Sequence, residues 1–466
     1  MNGFTVVEYD SIPVVENLDG YDGKPALTAA EVDELEDMGS SHGIGQLLRH
    51  VSRSEVQFRQ YVGLVRLGGR DIEVLPKIES LSGSPDSPDN QASIRWNLLR
   101  MLLVAYDLKV HLPSEAMSQT LETTWLDVFM QVFCRELMEQ VRGGLTKRYR
   151  LEEDNLGVVR GRILLHEQLT HNFIHQERIA CEYDELDEDH ALNQMFKLVL
   201  LRMHSLARSN VVQNTVRELL VSFDAVTLRG FGGRWWEAIT SDRMNARFEP
   251  SMALAKLFLN GMSPDVARGG ERSYSLLFDM NYLFEQYVGR VLQELLRGRG
   301  LQTYLQEAKH YLMTLEGEIK SIFRLEPDIV VRRGKDLLCI GDTKWKRLKP
   351  EERKMGISQA DLYQMLAYSE RYGCNRVLML YPFERKAGSS WSNGHLLTSM
   401  AARGTTVLIG QVCLSDLDDV PRQLQQLFER AVPTSSASDD VKLNPSYLTN
   451  DSHPSARVNE EPVLRS

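Results

Sequence analysis

The sequence predicts a multidomain α+β fold, with a β-rich N-terminal domain, a helical middle region and a C-terminal mixed α/β domain. Two apolar runs flank Gly68-Gly69, a pattern typical of a two-residue β-hairpin. Apolar residues follow a helical period from Ile94 onward, and strand-like runs return on either side of a charged turn at 332–336. The 466 residues are enough for two or three domains. The expected limits are 1–115 for the N-terminal domain, 116–272 for the middle region, 273–432 for the C-terminal domain and 433–466 for a disordered tail rich in Ser, Asp, Asn and Pro.

Composition is that of an ordinary globular protein, 42% hydrophobic and 25% charged. No apolar run approaches the ~20 residues of a membrane span, and the N-terminus lacks the pattern of a signal peptide. The five cysteines are scattered without CxxC spacing, so we expect no zinc site and no disulfide framework. A reducing cytoplasm is therefore the expected compartment.

The distribution of charge says more about nucleic-acid binding than its total. A net charge of −10 argues against indiscriminate binding to a phosphate backbone. Basic residues nevertheless gather in two groups. The first basic group is Arg142, Lys147, Arg148, Arg150, Arg160 and Arg162, and the second is Lys344, Lys346, Arg347, Lys349, Arg353 and Lys354. Such groups are usually solvated faces, but the second adjoins two acids and is the better candidate for a DNA path.

In the N-terminal and middle parts, periodicity predicts strands first and helices later. Thr28 is positioned to cap the first helix, and the aromatic residues of the later helices are expected to be core. Pro250 and the Gly-rich segment 261–271 favour a boundary before the last domain. The expected elements are a strand at 4–9, a helix at 27–38, a hairpin within 57–78, an exposed loop at 80–93, a helix from 94, and helices at about 121–142 and 189–208.

The C-terminal domain is expected to alternate helices and strands. Ser358 followed by Asp361 matches a capping box at the start of a helix. The other expected elements are a helix at 274–296, strands at 377–381 and 407–412, and a final helix at 420–431.

A predicted hairpin at the centre of this domain carries the chemistry. Its strands are 323–331 and 337–345. Asp328 and Asp342 are equidistant from residue 335, so a symmetric turn sets them opposite each other, with Cβ atoms roughly 4.5–5.5 Å apart. Lys344 shares the face of Asp342 because side chains alternate along a strand.

Two acids and a lysine in this arrangement indicate a metal-dependent phosphodiesterase. A divalent ion activates water and neutralises charge on the phosphate, and Mg²⁺ prefers a few hard oxygen ligands. Asp328, Asp342 and the carbonyl of Thr343 are the expected metal ligands. Lys344 would orient the attacking water or stabilise the charged phosphate.

Three further residues are candidates for the same site. Gln364 and Tyr368 are four residues apart, so they share one face of a helix and could reach the water or a phosphate. Glu285 is a candidate metal ligand, although its periodicity also fits an exposed acid at the edge of a helix. An ordinary solvent-facing hairpin is the alternative for the whole set. Against it, Asp342 follows a buried-type apolar run, and a buried carboxylate requires a metal or a salt bridge.

The pattern Pro327-Asp328, Asp342-Thr343-Lys344 and Gln364-x-x-x-Tyr368 resembles the PD-(D/E)xK nuclease superfamily, in the branch with a Q-x-x-x-Y helix. Over roughly residues 50–415 the chain also resembles the McrC subunits of McrBC-type modification-dependent restriction systems. The stretches that carry this resemblance are 72–78, 98–102, 143–149, 161–163, 181–186 with 192–193, and 283–285.

The resemblance implies an endonuclease subunit of a phage-defence restriction complex that cuts double-stranded DNA with Mg²⁺ or Mn²⁺. It also implies an AAA+ GTPase partner, McrB-like, that recognises methylcytosine and whose hydrolysis this subunit stimulates. The chain has no G-x-x-x-x-G-K-[ST] phosphate loop, so GTP is expected to be bound by the partner. Residues 1–115 are the expected partner-docking domain. Two alternatives stay open: a stand-alone DNA-repair nuclease, and a non-catalytic adaptor of an AAA+ motor.

Overall fold

A computed structural model of the protein describes residues 3–21, 24–41, 46–78, 88–108, 110, 124–175, 177–228, 234–261, 266–268, 271–315, 321–348, 352, 354–383, 395–398 and 404–433. The helices are α1 (Ala29–Ser41), α2 (Pro88–Ala105), α3 (Trp125–Val141), α4 (Leu165–His171), α5 (Ala191–Leu206), α6 (Asn210–Ser222), α7 (Glu249–Gly261), α8 (Met280–Arg297), α9 (Gln359–Tyr372) and α10 (Val420–Ala431). None of the helices in these ranges is long and apolar enough to cross a membrane.

The strands fall into five sheets. They are β1 (Phe4–Val7), β2 (Ile12–Val15), β3 (Leu27–Thr28), β4 (Leu48–Ser52), β5 (Glu55–Phe58), β6 (Tyr61–Leu67), β7 (Arg70–Leu75), β8 (Arg148–Leu156), β9 (Arg162–Ile163), β10 (Ile179–Asp187), β11 (Val266–Arg268), β12 (Glu271–Asp279), β13 (Gln302–Leu305), β14 (His310–Thr314), β15 (Ser321–Leu325), β16 (Ile329–Arg333), β17 (Asp336–Thr343), β18 (Arg376–Phe383), β19 (His395–Thr398) and β20 (Thr406–Cys413).

The N-terminal sheet has the strand order β1-β7-β6-β12-β11. Its hairpin is the predicted one: Leu67 pairs with Arg70, and Gly68 and Gly69 occupy the turn with φ of 49° and 77°. Only glycine adopts two such values without strain, which explains the local sequence. One face of the sheet packs against α1, and the other packs against the large core that includes α2 and α3.

The first helix begins as its sequence indicates. The Thr28 hydroxyl accepts a hydrogen bond from the Glu31 amide at 3.3 Å, and Glu31 Oε2 accepts one from the Thr28 amide at 2.8 Å. This reciprocal pair is a capping box. Leu27 and Thr28 themselves form β3, so the predicted start of the helix was early by two residues.

The middle region contains more than the predicted helices. Beside α3, α5, α6 and α7 it holds a three-stranded sheet in the order β8-β10-β9. β8 and β10 pair over nine residues each, from Arg148–Asp187 to Leu156–Ile179. Charged residues are frequent in both strands, and most residues of these strands are partly or fully exposed. The predicted helical middle region was incomplete here, because strands without a buried apolar face carry only a weak sequence signal.

The C-terminal sheet has the order β13-β16-β17-β18-β20-β19. β17, β18 and β20 run parallel to one another, and the outer neighbours are antiparallel. Helices cover both faces: α8 and α10 lie on one side, and α9 lies on the other. Consecutive residues of β17 show this division, since Cys339 joins the core with α8 and Ile340 joins the cluster with Met365 and Tyr368 of α9.

One predicted helix was partly wrong. Residues 274–279 belong to β12, and the helix starts only at Met280, where Asp279 caps it by accepting a bond from the Asn281 amide. Over six residues β12 pairs antiparallel with β6, so tertiary pairing overrides a periodicity that fits either element. The N-terminal sheet therefore contains strands from both sides of the predicted domain limit at residue 272. The domain limits themselves stay a prediction.

Four smaller expectations need correction or lie outside the described ranges. The loop expected at 80–93 ends earlier, since α2 begins at Pro88 and residues 79–87 are outside the described part. Pro250, taken as a boundary signal, sits in the first turn of α7, where a missing N–H costs no hydrogen bond. The run 323–331 is two strands, β15 and β16, in different sheets. The tail expected from 433 lies outside the described residues beyond Pro433.

Candidate nuclease centre

The register of β16 and β17 sets the geometry of the candidate site. Ile329 pairs with Gly341, so the next pair outward would be Asp328 and Asp342. The predicted symmetric turn was wrong: the turn is Gly334-Lys335, with Gly334 at φ 59°, and a β-bulge follows at Leu338. The bulge adds one residue to β17 and thereby restores the register that a symmetric turn would have produced.

Asp342 lies at the carboxyl end of β17, in the interior of the sheet, and is 1% exposed. Burial, and after it the neighbouring Asp328 carboxyl, raise the pKa of Asp342 to about 7. The Lys344 ammonium acts in the opposite direction from 2.6 Å away. Oδ2 of Asp342 is buried and makes no hydrogen bond of regular geometry with the described residues, so this ion pair is its compensation.

Asp328 is held by the residue that follows Asp342. The amide and the hydroxyl of Thr343 donate to Asp328 Oδ2 at 2.7 and 2.8 Å. The Asp328 carbonyl accepts from the Gln306 amide at 3.0 Å, which fixes the backbone too. Burial raises the pKa of Asp328, and the two Thr343 donors lower it in part. One oxygen of this carboxylate is thus positioned by protein donors.

Lys344 lies directly after β17 and forms an ion pair with Asp342. Its amide donates to the carbonyl of Leu380 in β18 at 2.9 Å, which continues the parallel ladder past Thr343. Burial lowers the pKa of Lys344, but Asp342, Asp328 and Asp361 together outweigh burial, and the net shift is upward. A cation that stays protonated is therefore fixed beside the buried Asp342 carboxyl.

Glu285, on α8, is connected to Asp328 through Gln306. It is partly buried, and its Oε1 accepts from Gln306 Nε2 at 2.7 Å. Burial and then the charge of Asp328 raise the pKa of Glu285 to about 7, while Lys344 lowers it. Glu285 is therefore more than an exposed acid at the edge of a helix, because it is partly buried and the charges of Asp328 and Lys344 both change its pKa.

Gln364 and Tyr368 lie on one face of α9, as their spacing predicts. Gln364 Nε2 donates to the Tyr368 hydroxyl at 2.8 Å, and that hydroxyl donates to the Glu326 carbonyl at 3.1 Å. Burial, and after it the charge of Asp342, raise the pKa of Tyr368. The tyrosine thus ties α9 to the turn before Asp328, and the exposed Gln364 remains accessible from solvent.

The capping box expected at the start of α9 does not form. Ser358 occupies the N-cap position without a side-chain hydrogen bond. Asp361 is instead paired with Lys346, whose Nζ lies 3.2 Å from Asp361 Oδ2. Because Asp361 forms this ion pair, the capping box predicted from Ser358 and Asp361 does not form.

The donor set has the chemical character of a divalent-cation site. Asp328 and Asp342 are hard oxygen ligands whose repulsion a cation would relieve, and Asp342 Oδ2 is a buried oxygen without a regular hydrogen bond. Among the described residues, no three His, Cys, Asp or Glu side chains surround a common point. A cation there would complete its shell with the Thr343 carbonyl, water or a phosphate oxygen, as Mg²⁺ commonly does.

The two basic groups differ in their surroundings. In the first, five members pair with acids: Lys147 with Glu188, Arg148 with Asp242, Arg150 with Glu152 and Asp187, Arg160 with Glu185, and Arg162 with Glu182. In the second, Lys344 pairs with Asp342 of the candidate site and Lys346 pairs with Asp361 of α9, and Lys349 and Arg353 lie outside the described ranges.

Sequence reasoning missed one residue beside the site. Glu8, directly after β1, is fully buried and accepts from the Trp345 indole N–H at 2.9 Å and from the Lys77 amide at 3.0 Å. An acid that follows a short apolar strand carries no local signal of this contact, because its partner is 337 residues away.

All five cysteines lie in the described ranges as free thiols.

Comparisons with known proteins place this geometry in a family. Residues 56–382 match the family described as McrBC 5-methylcytosine restriction system component. Among solved structures, the chain is similar to one described as a refined half-complex from the tetradecameric assembly of Thermococcus gammatolerans McrB AAA+ hexamers with bound McrC. That likeness has a TM-score of 0.67 at 18% identity and covers 93% of this chain and 100% of the other.

A second similar structure is the Thermococcus gammatolerans McrBC complex, with a TM-score of 0.48 at 20% identity over 64% of this chain and 88% of that one. A search of curated proteins gave no match. Because the family match covers well over half of the sequence, the chain belongs to the McrBC restriction-component family.

Proposed function

We propose that this member of the McrBC family is the nuclease subunit of a modification-dependent restriction complex. It would hydrolyse phosphodiester bonds of methylcytosine-containing double-stranded DNA with Mg²⁺ or Mn²⁺, as an endonuclease of the PD-(D/E)xK type. The observation that carries the proposal is the convergence of Asp328, Asp342 and Lys344 at one end of the β16–β17 hairpin. Two carboxylates and a fixed cation are the minimal set for metal-assisted attack on a phosphate.

The roles follow from the contacts. Asp328 and Asp342, with the Thr343 carbonyl, would hold the divalent ion, which supplies an activated water and neutralises phosphate charge. Thr343 orients Asp328 with its two hydrogen bonds. Lys344 is preorganised beside Asp342, where its charge would stabilise the negative phosphate oxygens in the transition state. Glu285 lies within electrostatic reach of Asp328 and is a further possible ligand.

The partner is proposed from the fold comparison. The solved structure of similar fold is described as McrB AAA+ hexamers with bound McrC, and this chain covers all of the chain that it matches there. This sequence carries no nucleotide phosphate loop of the G-x-x-x-x-G-K-[ST] type. We therefore assign GTP binding to an AAA+ partner, docked on residues 1–115, whose hydrolysis this chain would stimulate.

The test uses the chain assembled with the AAA+ GTPase of its own system, GTP, Mg²⁺ and a methylated plasmid. Asp342→Asn should lower cleavage by at least ~10²-fold while stimulation of GTP hydrolysis stays at the parent level. The matched control is Asp336→Asn, since Asp336 lies on the same strand but is exposed beside the turn. It should cut like the parent.

Two outcomes would overturn parts of the proposal. If Asp342→Asn cuts as fast as Asp336→Asn, the chain is an adaptor and the carboxylate pair is not catalytic. If the chain alone cuts as fast as the assembly, with no effect on GTP hydrolysis, it is a stand-alone nuclease and the partner assignment fails.

A further inference from the structure

A buried hydrogen bond joins the N-terminal sheet to the strand that carries the candidate catalytic lysine. Glu8 follows β1 directly, and its amide donates to the Leu75 carbonyl at the end of β7 at 2.9 Å. Its side chain leaves this sheet and accepts from the Trp345 indole N–H at 2.9 Å. Trp345 is the residue immediately after Lys344, so the bond connects the end of the first strand with the segment that follows the candidate lysine.

Trp345 is held from a second direction by the helix that carries Glu285. Its ring lies 5.3 Å from the ring of Phe284, and it is 7% exposed. Phe284 is adjacent in sequence to Glu285, and α8 follows directly from β12 of the N-terminal sheet. The indole therefore lies between the Glu8 carboxyl of the N-terminal sheet and the Phe284 ring of α8.

The Glu8 carboxyl is itself well anchored. Oε1 of Glu8 also accepts from the Lys77 amide at 3.0 Å, and the Arg347 guanidinium donates to the Lys77 carbonyl at 3.2 Å. Segment 344–347 is thus bonded to the N-terminal part at two residues, Trp345 and Arg347. Lys344 lies at the start of that segment, 2.6 Å from Asp342.

A role in core packing alone would not require a carboxyl group at position 8. A fully buried carboxyl is costly, and an apolar side chain packed on the indole would supply the same contact area without that cost. The carboxyl group instead offers an oxygen that accepts a directed hydrogen bond from the indole N–H, and this bond restricts the orientation of the ring. Placing Lys344 to within a fraction of an ångström is a purpose for which that directionality matters.

We infer that Glu8 is a positioning residue of the nuclease centre, which holds Trp345 and through it sets the Lys344 ammonium beside Asp342. This inference rests on the proposed nuclease function. It adds that the N-terminal sheet, assigned above to partner docking, is mechanically connected to the catalytic strand by one buried carboxylate.

The test compares variants in the assembled complex with GTP and Mg²⁺. Glu8→Ala removes the acceptor, and Trp345→Phe removes the indole N–H and makes the ring system smaller while it keeps an aromatic ring beside Phe284. Each should lower the kcat of DNA cleavage by roughly tenfold, because small errors in the position of a catalytic group are costly. KM for DNA and the stimulation of GTP hydrolysis should stay at the parent level. The double variant should be no slower than the worse single variant, and Glu8→Gln, which keeps an acceptor oxygen, should restore most of the rate.

Glu73→Ala is the matched control for general destabilisation. Glu73 is a buried carboxylate of the same sheet, but its bonds run to Arg95 of α2 and to the Trp125 amide of α3. Hydrogen exchange of residues 344–348 gives a readout that does not depend on activity. The Lys344 and Lys346 amides are hydrogen-bonded there, and they should exchange faster in Glu8→Ala than in Glu73→Ala.

The results separate the two proposals. If the parent complex cuts and Glu8→Ala cuts equally fast with unchanged exchange at 344–348, Glu8 has no positioning role and the nuclease proposal stands. Equal losses in Glu8→Ala and Glu73→Ala would reduce Glu8 to a stability residue. If the parent itself fails to cut, the exchange data alone decide whether Glu8 holds the segment.

Discussion

Two charged regions of this protein look alike in sequence and differ in what their charges do. At the β8-β10-β9 sheet, Lys147 just before β8 and Arg162 of β9 pair with acids on a surface, with side chains 49% and 71% exposed. At the end of β17, Lys344 pairs with an Asp342 side chain that is 1% exposed. Solvent screens the first pairs, so each contributes only ~0–1 kcal/mol.

The difference teaches that burial, rather than the number of charges, distinguishes a site from a solvated face. In the buried region, the pKa of Asp342 rises to about 7, mainly through loss of solvation. The group can then exchange its proton for a cation near neutral pH. Regions with many paired surface charges offer no such exchange, because water already stabilises each ion.

Replacing one lysine in each region tests this comparison with the largest expected effect. Lys344→Met should lower DNA cleavage by the assembled complex by ~10²-fold or more, since a preorganised charge at the reacting phosphate is lost. Lys147→Met, at the exposed pair with Glu188, should leave cleavage unchanged and alter the free energy of unfolding by at most ~1 kcal/mol.

Both variants keep a long unbranched side chain, so packing is conserved as far as the chain permits. Single-turnover cleavage rates and denaturant unfolding measure the two quantities. Equal cleavage by the two variants would show that the buried pair has no role in catalysis.

The pH dependence of metal-induced stabilisation sharpens the comparison further. Burial raises the pKa of Asp342 from 3.8 and of Glu285 from 4.5, each to about 7. The folded protein therefore keeps protons that the unfolded chain releases, and metal-free stability should fall as pH rises from about 4 to about 7. A divalent ion needs the ionised carboxylates, so the rise in Tm caused by Mn²⁺ should grow over that window and level off above it.

Thermal unfolding with Mn²⁺ and with chelator, at intervals from pH 5 to pH 8.5, checks this expectation. Asp342→Asn should flatten the metal-dependent part, whereas Glu182→Gln in the exposed sheet should leave it unchanged. A Mn²⁺ effect on Tm that is equal at pH 5.5 and pH 8 would contradict the assignment of these acids as ligands.

The smallest expected effect concerns two tyrosines of α9. Tyr368→Phe removes the hydroxyl that bonds Gln364 and the Glu326 carbonyl, and should lower the free energy of unfolding by ~1 kcal/mol and slow cleavage a few-fold. Tyr363→Phe, at an exposed position of the same helix, should change neither quantity. Chemical denaturation and cleavage assays measure both. A loss of cleavage as large as that of Lys344→Met would instead place Tyr368 at the reacting phosphate.

Local chemistry explains which parts of the fold were predictable. Gly68-Gly69 and the Thr28–Glu31 capping box act within a few residues, so their sequence signals correspond to their structures. The start of α8 was not predictable from periodicity, because residues 274–279 become a strand only when β6 is available to pair with them. The same reason applies to the run 323–331, which is divided between two sheets.

The sequence predicted the candidate site partly from a turn geometry that was wrong. A symmetric turn would place Asp328 opposite Asp342, and the structure reaches the same register through a tighter turn and a bulge at Leu338. The bulge has no clear sequence signal, since Leu337-Leu338 reads as a regular strand. The outer register was still predictable because only one pairing buries the apolar residues of β16 and β17 on the correct faces.

The sequence by itself determined the alternation of elements, the hairpin with its two acids and a lysine, and the family. These depend on residues close along the chain, where backbone geometry and side-chain period act directly. Tertiary structure alone decided that Asp342 is buried, that Gln306 bonds both Glu285 and the Asp328 carbonyl, and that Glu8 bonds Trp345. Burial and long-range contacts arise only when distant segments pack together, and they raise the pKa of the carboxyls toward neutrality.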